Sequence, residues 1–160
     1  MRILGIDPSL RCTGYGIIEI RQSAPPRTIT FGSIKNQNKL THAKCFFIIT
    51  RTLQDLIEEF NPDEASIENI IYVQNSKTAI GLGGARAAAL IALEQAGLPI
   101  FEYPAKIIKK GATGTGNAAK NQVGFMMRSI LGLDQTPTPD EGDALAAALT
   151  HSQNLHRRTH

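Results

Sequence analysis

The sequence is poor in cysteine, has no long apolar run and carries little net charge, and each shortage removes a class of protein. Two cysteines, Cys12 and Cys45, stand among 160 residues. Nothing in their spacing suggests a disulfide framework or a metal knuckle. No stretch approaches the roughly 20 apolar residues of a membrane-spanning helix, and the apolar run at the amino terminus is too short for a secretory signal. A reduced, cytoplasmic protein is expected. The net charge is only +3, so its distribution has to be read rather than its total. One local absence is informative: from Tyr103 to Leu133 there is no Asp or Glu, while Lys106, Lys109, Lys110, Lys120 and Arg128 all fall there. The length is that of one domain with its own core, expected over residues 1–154, with 155–160 as a flexible basic tail.

What is present is organised around the first strand, Arg2 to Asp7. Ile3, Leu4 and Ile6 form an apolar run, and Pro8 stops it on a carboxylate. Such a run reads as a buried central strand, at whose end an Asp is costly unless paired, hydrogen-bonded or bound to a metal. Thr13 to Ile20 alternates as an antiparallel partner, its Gly14 and Gly16 leaving one side bare for a ligand backbone or for relief of crowding. A third strand is expected over about 27–34. Apolar residues Phe46, Ile49, Leu53, Leu56, Ile57 and Phe60 recur at three- and four-residue spacing, which predicts a helix from about Thr41 to Phe60. After that crossover, Ala65 to Ile70 should lie parallel to the first strand, bringing Glu68 beside Asp7.

A second helix, about 78–96, is rich in Gly and Ala, as suits close packing on the sheet or a self-complementary contact. A fifth strand follows at Pro99 to Tyr103, then a helical segment through Lys110. The loop Gly111 to Asn117, expected to open a helix at Asn117, offers backbone N–H groups to a phosphate. With Lys109, Lys110 and Lys120 around it, and Thr115 and Asn117 within it, the loop reads as a clamp on a nucleic-acid backbone. The last helix is expected from Asp140 to His151. Asp140 and Asp143, three residues apart, project from one face of its first turn; His151 near its end reads as a terminal residue rather than a ligand.

These elements predict an α/β fold with a five-stranded mixed sheet in the order 3-2-1-4-5, flanked by helices. That order gathers Asp7, Glu68, Asp140 and Asp143. Four carboxylates repel one another unless cations fill the cluster. Oxygen ligands favour Mg²⁺ or Mn²⁺ over Zn²⁺, and two such ions about 4 Å apart can activate water and stabilise the leaving oxygen of a phosphodiester. Hydrolytic strand cleavage is the chemistry implied.

Five motifs, Gly5-Ile6-Asp7-Pro8, Thr13 to Gly16, Ile67-Glu68, Gly114 to Val123 and Asp140 to Ala146, occur in the order seen in the RuvC family of Holliday-junction resolvases, which the chain resembles over nearly its whole length. The resemblance implies a ribonuclease H-like fold and a homodimer. It also implies a Mg²⁺-dependent endonuclease that nicks two strands of like polarity across a four-way DNA junction, leaving 5'-phosphate and 3'-hydroxyl ends. Two Mg²⁺ per site are implied, with Mn²⁺ as a substitute, and a branch-migration motor as a further partner. By family position Asp7, Glu68, Asp140 and Asp143 are the catalytic, metal-binding acids, and Lys109 and Lys120 lie near the scissile phosphate and the DNA backbone.

Two positions depart from the family pattern. Ser9 replaces the usual Gly after Asp-Pro, which predicts a differently built or slightly strained loop. Where the family has an aromatic after the Glu, this chain has Ile70-Ile71-Tyr72; Tyr72 is the candidate to stack on an unpaired base, with Ile71 as an apolar wedge, the alternative being that both are core residues under the loop. Two other classes fit less well. A nucleotide-binding domain of the actin and sugar-kinase type needs two lobes, and no second copy of the hairpin motif appears. A junction-binding module without catalysis would have lost an acid, and all four stand.

Overall fold

The computed structural model describes residues 1–69 and 76–158. The first hairpin is β1 (Arg2–Asp7) and β2 (Cys12–Arg21), and β3 (Ala24–Lys35) adds a third strand. Helix α1 (His42–Phe60) crosses to β4 (Glu64–Asn69), and α2 (Ser76–Gln95) crosses to β5 (Ile100–Pro104). Three helices follow: α3 (Ala105–Thr113), α4 (Lys120–Leu131) and α5 (Pro139–Arg158).

The sheet order is β3-β2-β1-β4-β5, as the sequence predicts. β1 pairs antiparallel with β2 and parallel with β4, in a register that sets Ile6 beside Ile67. Side chains alternate across a strand, so the two faces of β1 feed two cores. Leu4 and Ile6, with Ile67, pack under α1 and α2 against Ile49, Leu53, Ala85 and Ala89. Ile3, with Ile18, packs on the other side against Val123, Met127, Leu145 and Ala148. Asp7 and Glu68, each one residue beyond the Ile6–Ile67 pair, therefore emerge at the same end of the sheet on the α5 side.

Helix α1 begins where Thr41 accepts the Lys44 N–H at 3.3 Å and ends on Asn61 at φ 46°, a left-handed cap that Asn tolerates. Part of the small-residue face of α2 serves α1: Gly84 lies under the Phe46 ring, and the Thr50 hydroxyl donates to the Ala88 carbonyl at 3.0 Å, whereas Gly81 faces Leu10 and Gly83 faces open space.

Three expected boundaries shift. α3 continues through Gly111, whose missing side chain leaves room for Thr150 of α5, and stops only at Gly114, φ 82°. α4 starts at Lys120 rather than Asn117, where Gln122 Oε1 accepts the Ala119 N–H at 2.9 Å. α5 runs past Leu155, where a frayed tail was expected, to Arg158, because Leu155 packs into the second core and Asn154 caps the Thr150 carbonyl at 2.9 Å. Among the described residues no helix is long and apolar enough to cross a membrane.

Candidate active site

Helix α5 lies unusually close to the sheet because the strands beneath it have no side chains there. A Cβ at Gly5 would strike the Ala144 carbonyl, and one at Gly14 the Asp140 carbonyl. Gly16 faces Leu145 in the same way. The bare side of the hairpin is therefore filled by the chain's own helix. Pro139 opens the first turn, and Glu141 accepts the Thr138 N–H at 2.9 Å and the Ser33 hydroxyl at 3.3 Å, a capping contact that fixes where the helix starts. Its first turn is thereby held over the ends of β1 and β4.

This placement brings the four acids together. Burial, then the charges of Glu68, Asp143 and Asp140, push the Asp7 carboxyl up to about 8, with Lys120 opposing. Glu68 is raised by burial and by Asp143, while Lys120 and Lys109 pull it down. Asp143, only 7% exposed, is raised by burial against the same two lysines. Lys120 Nζ lies 3.5 Å from Asp143 Oδ2. Burial works against its charge, but Asp143, Asp7 and Asp140 hold the ammonium above its usual range. Asp140 also reaches Cys12, whose thiol is pushed up by burial and by that carboxylate.

Among the described residues no three such side chains close on a point tightly enough to hold an ion as they stand. The donor set nevertheless fits hard divalent cations: the acids offer only oxygens, and the repulsion that raises Asp7 is what bound cations remove. Lysine at the rim also suits an anionic substrate.

The other expected site residues fall into three groups. Lys109 acts on Glu68 and Asp143 from α3, whereas Lys110 lies in a groove with Ile107, Gly114, Thr150 and Gln153. Thr115 and Asn117 are exposed, but their N–H groups are engaged inside the loop, by Thr113 Oγ1 at 3.3 Å and Thr115 Oγ1 at 3.4 Å. The open phosphate cradle expected of that backbone is thus partly closed. Ile71 and Tyr72 lie outside the described residues. Ser9 has no left-handed φ; instead Thr13 Oγ1 donates to its carbonyl at 2.6 Å and accepts its N–H at 3.3 Å, tying the loop without the expected strain. Sequence reasoning missed Glu141, which Thr138-Pro139-Asp140-Glu141 signals as a helix start, and it undervalued His151, which is buried in hydrogen bonds to Glu64 and Tyr103.

A family model described as "Crossover junction endodeoxyribonuclease RuvC" matches residues 3–151. Proteins of that name from Akkermansia muciniphila and Halorhodospira halophila are each 44% identical to this chain, over 94% and 96% of it and 90% of each relative. Among solved structures, Thermus thermophilus RuvC in complex with a Holliday junction substrate superposes with a TM-score of 0.90 at 29% identity, covering 99% of this chain and 97% of that one. The yeast mitochondrial Holliday junction resolvase shares the fold alone, with a TM-score of 0.62 at 12% identity, over 99% of this chain and 84% of that one. With the strand order, the buried carboxylates and the matches agreeing from end to end, the chain belongs to the RuvC family of crossover junction endodeoxyribonucleases.

Proposed function

We propose that the protein is a metal-dependent endonuclease that resolves four-way DNA junctions in recombination and repair, nicking two strands of like polarity. The observation that carries this reading is the gathering of Asp7, Glu68, Asp140 and Asp143 at one end of the sheet, with Asp7 driven up to about 8 by burial and by its neighbours. Carboxylates crowded at that cost are expected where a site recruits cations. These four residues would hold Mg²⁺, two ions per site, with Mn²⁺ able to replace it. Bound there, the metal supplies an activated water and charge compensation for the leaving 3'-oxygen, which gives 5'-phosphate and 3'-hydroxyl ends.

The chain's own residues do the remaining work. Lys120 and Lys109 offset the carboxylates and present positive charge to the scissile phosphate. Lys110, Thr115 and Asn117 extend the polar rim along the backbone through their side chains. Ile71 and Tyr72 are assigned to the junction centre. A homodimer would place two sites on a two-fold symmetric junction, and the exposed Phe47, Ile80 and Ile91 on the α1 and α2 layer are apolar surface available for it. A cytoplasmic location and coupling to a branch-migration motor complete the proposal.

Asp7→Asn separates catalysis from binding. The variant is expected to bind a junction like the parent in EDTA and to lose cleavage by several orders of magnitude, since it removes a metal ligand rather than a DNA contact. Near-normal cleavage would refute the assignment of the acids.

A further inference from the structure

Away from the carboxylates, the buried polar groups that the proposed chemistry leaves unused gather around His151. The residue is 1% exposed. Its Nε2 lies 2.6 Å from Glu64 Oε2, its Nδ1 2.8 Å from the Tyr103 hydroxyl, and its ring stacks on Phe101 at 4.2 Å between centroids. A carboxylate only accepts, so Nε2 donates to Glu64, and Nδ1 shares the second hydrogen bond with the Tyr103 hydroxyl. Both ring nitrogens are then satisfied.

The position of this cluster gives it a consequence. Asp143, Ala147 and His151 recur at four-residue spacing and form one stripe of α5. Glu68, Ser66 and Glu64 alternate along β4 and share the face beneath that stripe. The two rows meet in opposite directions. His151 meets Glu64, the Ala147 carbonyl accepts the Ser66 hydroxyl at 2.9 Å, and Asp143 lies within Coulombic reach of Glu68. From Asp143 to His151 the helix advances about 12 Å, and from Glu68 to Glu64 the strand advances about 13 Å. The rungs therefore stay in step along the whole seam. A slide of α5 by one residue, about 1.5 Å, would break them together.

We propose that Glu64 and His151, braced by Tyr103, are positioning residues: the clamp at the far end of α5 holds the helix in the register that sets Asp143 opposite Glu68. None of the three is a catalytic residue. Tyr103 is also the cross-strand neighbour of Glu68, so the clamp reaches the carboxylate cluster along β5 as well. This inference rests on the reading of the four acids as a metal-dependent nuclease site.

The test uses the full chain and compares His151→Leu, His151→Gln and Glu64→Gln with the parent. Junction binding is measured in EDTA, cleavage at saturating junction across a Mg²⁺ series, and Mn²⁺ binding to the protein alone by calorimetry. In His151→Leu the junction affinity should hold while kcat falls and metal affinity weakens, each by between about ten- and a hundredfold. His151→Gln, which restores a donor to Glu64, should recover part of both. Glu64→Gln keeps the shape of the seam, and a smaller loss of the same kind is expected there; it decides the matter if His151→Leu does not fold. A packing role alone would lower the melting temperature and leave the metal midpoint and kcat of the folded variants at parental values, which would overturn the clamp. A parent chain that cleaves no junction in Mg²⁺ or Mn²⁺ would instead overturn the nuclease reading on which the clamp depends.

Discussion

Raising the pH of the metal-free protein from about 5 to about 9 should destabilise it through Asp7, and Asp7→Asn should abolish that loss. The folded carboxyl titrates at about 8 against 3.8 for an ordinary one, so the folded state binds this proton more tightly than the unfolded chain does. The stabilisation that the proton confers is complete below the unfolded value and is lost as pH rises through the folded one. Of that shift, the roughly three units between pH 5 and the folded value, at about 1.4 kcal/mol each, set a ceiling near 4 kcal/mol for this pH range. Asp7 is half-buried and its neighbours can rotate or attract counterions, so a loss of about 2 kcal/mol is expected in practice. In a chain of this size that corresponds to about 4–8 °C in melting temperature. Calorimetric or fluorescence melts in EDTA at a series of pH values would read it as a difference between the parent and Asp7→Asn. The two should converge toward pH 4 and separate progressively from there to about pH 8, with the Asn variant more stable and the gap constant above that, and Mg²⁺ should raise the melting temperature of the parent alone. A variant equal to or less stable than the parent at pH 9 would refute the claim that Asp7 is held among like charges.

Lys120→Ala should weaken junction binding and reduce the slope of log affinity against log salt by about one, the mark of a lost phosphate contact; an unchanged slope in a salt titration would remove Lys120 from the backbone contacts. Gly5→Ala should cost several kcal/mol or prevent folding, because the added methyl meets the backbone of α5, which has no flexible end to move aside. A soluble Gly5→Ala protein with the parental melting temperature would show that α5 does not rest on β1 as described.

The sheet order and the nearness of Asp7 to Glu68 were legible in the sequence because they depend on local signals: apolar runs, a Pro after Asp7, and a helical crossover that forces parallel strands. The glycines of the hairpin were legible as a bare surface, but not what covers it. Gly5, Gly14 and Gly16 admit a helix more than a hundred residues downstream, and such a long-range contact leaves no mark in the local pattern. Gly111 misled in the opposite sense. In a Gly- and Thr-rich run it reads as a loop, yet it is helical because Thr150 fills the space where a side chain would sit. The reach of α5 to Arg158 was hidden for a related reason, since a polar, basic end with few apolar residues gives no periodicity of its own. His151 reads singly as a helix-terminal residue. Its meaning appears only when the four-residue stripe of α5 is laid beside the alternation of Glu64, Ser66 and Glu68.

The most direct measurement is cleavage of a synthetic four-way junction beside a linear duplex of matching sequence, each in Mg²⁺ and in EDTA. Paired symmetric nicks confined to the junction, present with Mg²⁺ and absent with EDTA, are the expected result. Tight binding to the junction with no nick in Mg²⁺ or Mn²⁺, or cleavage that persists in EDTA, would contradict the account.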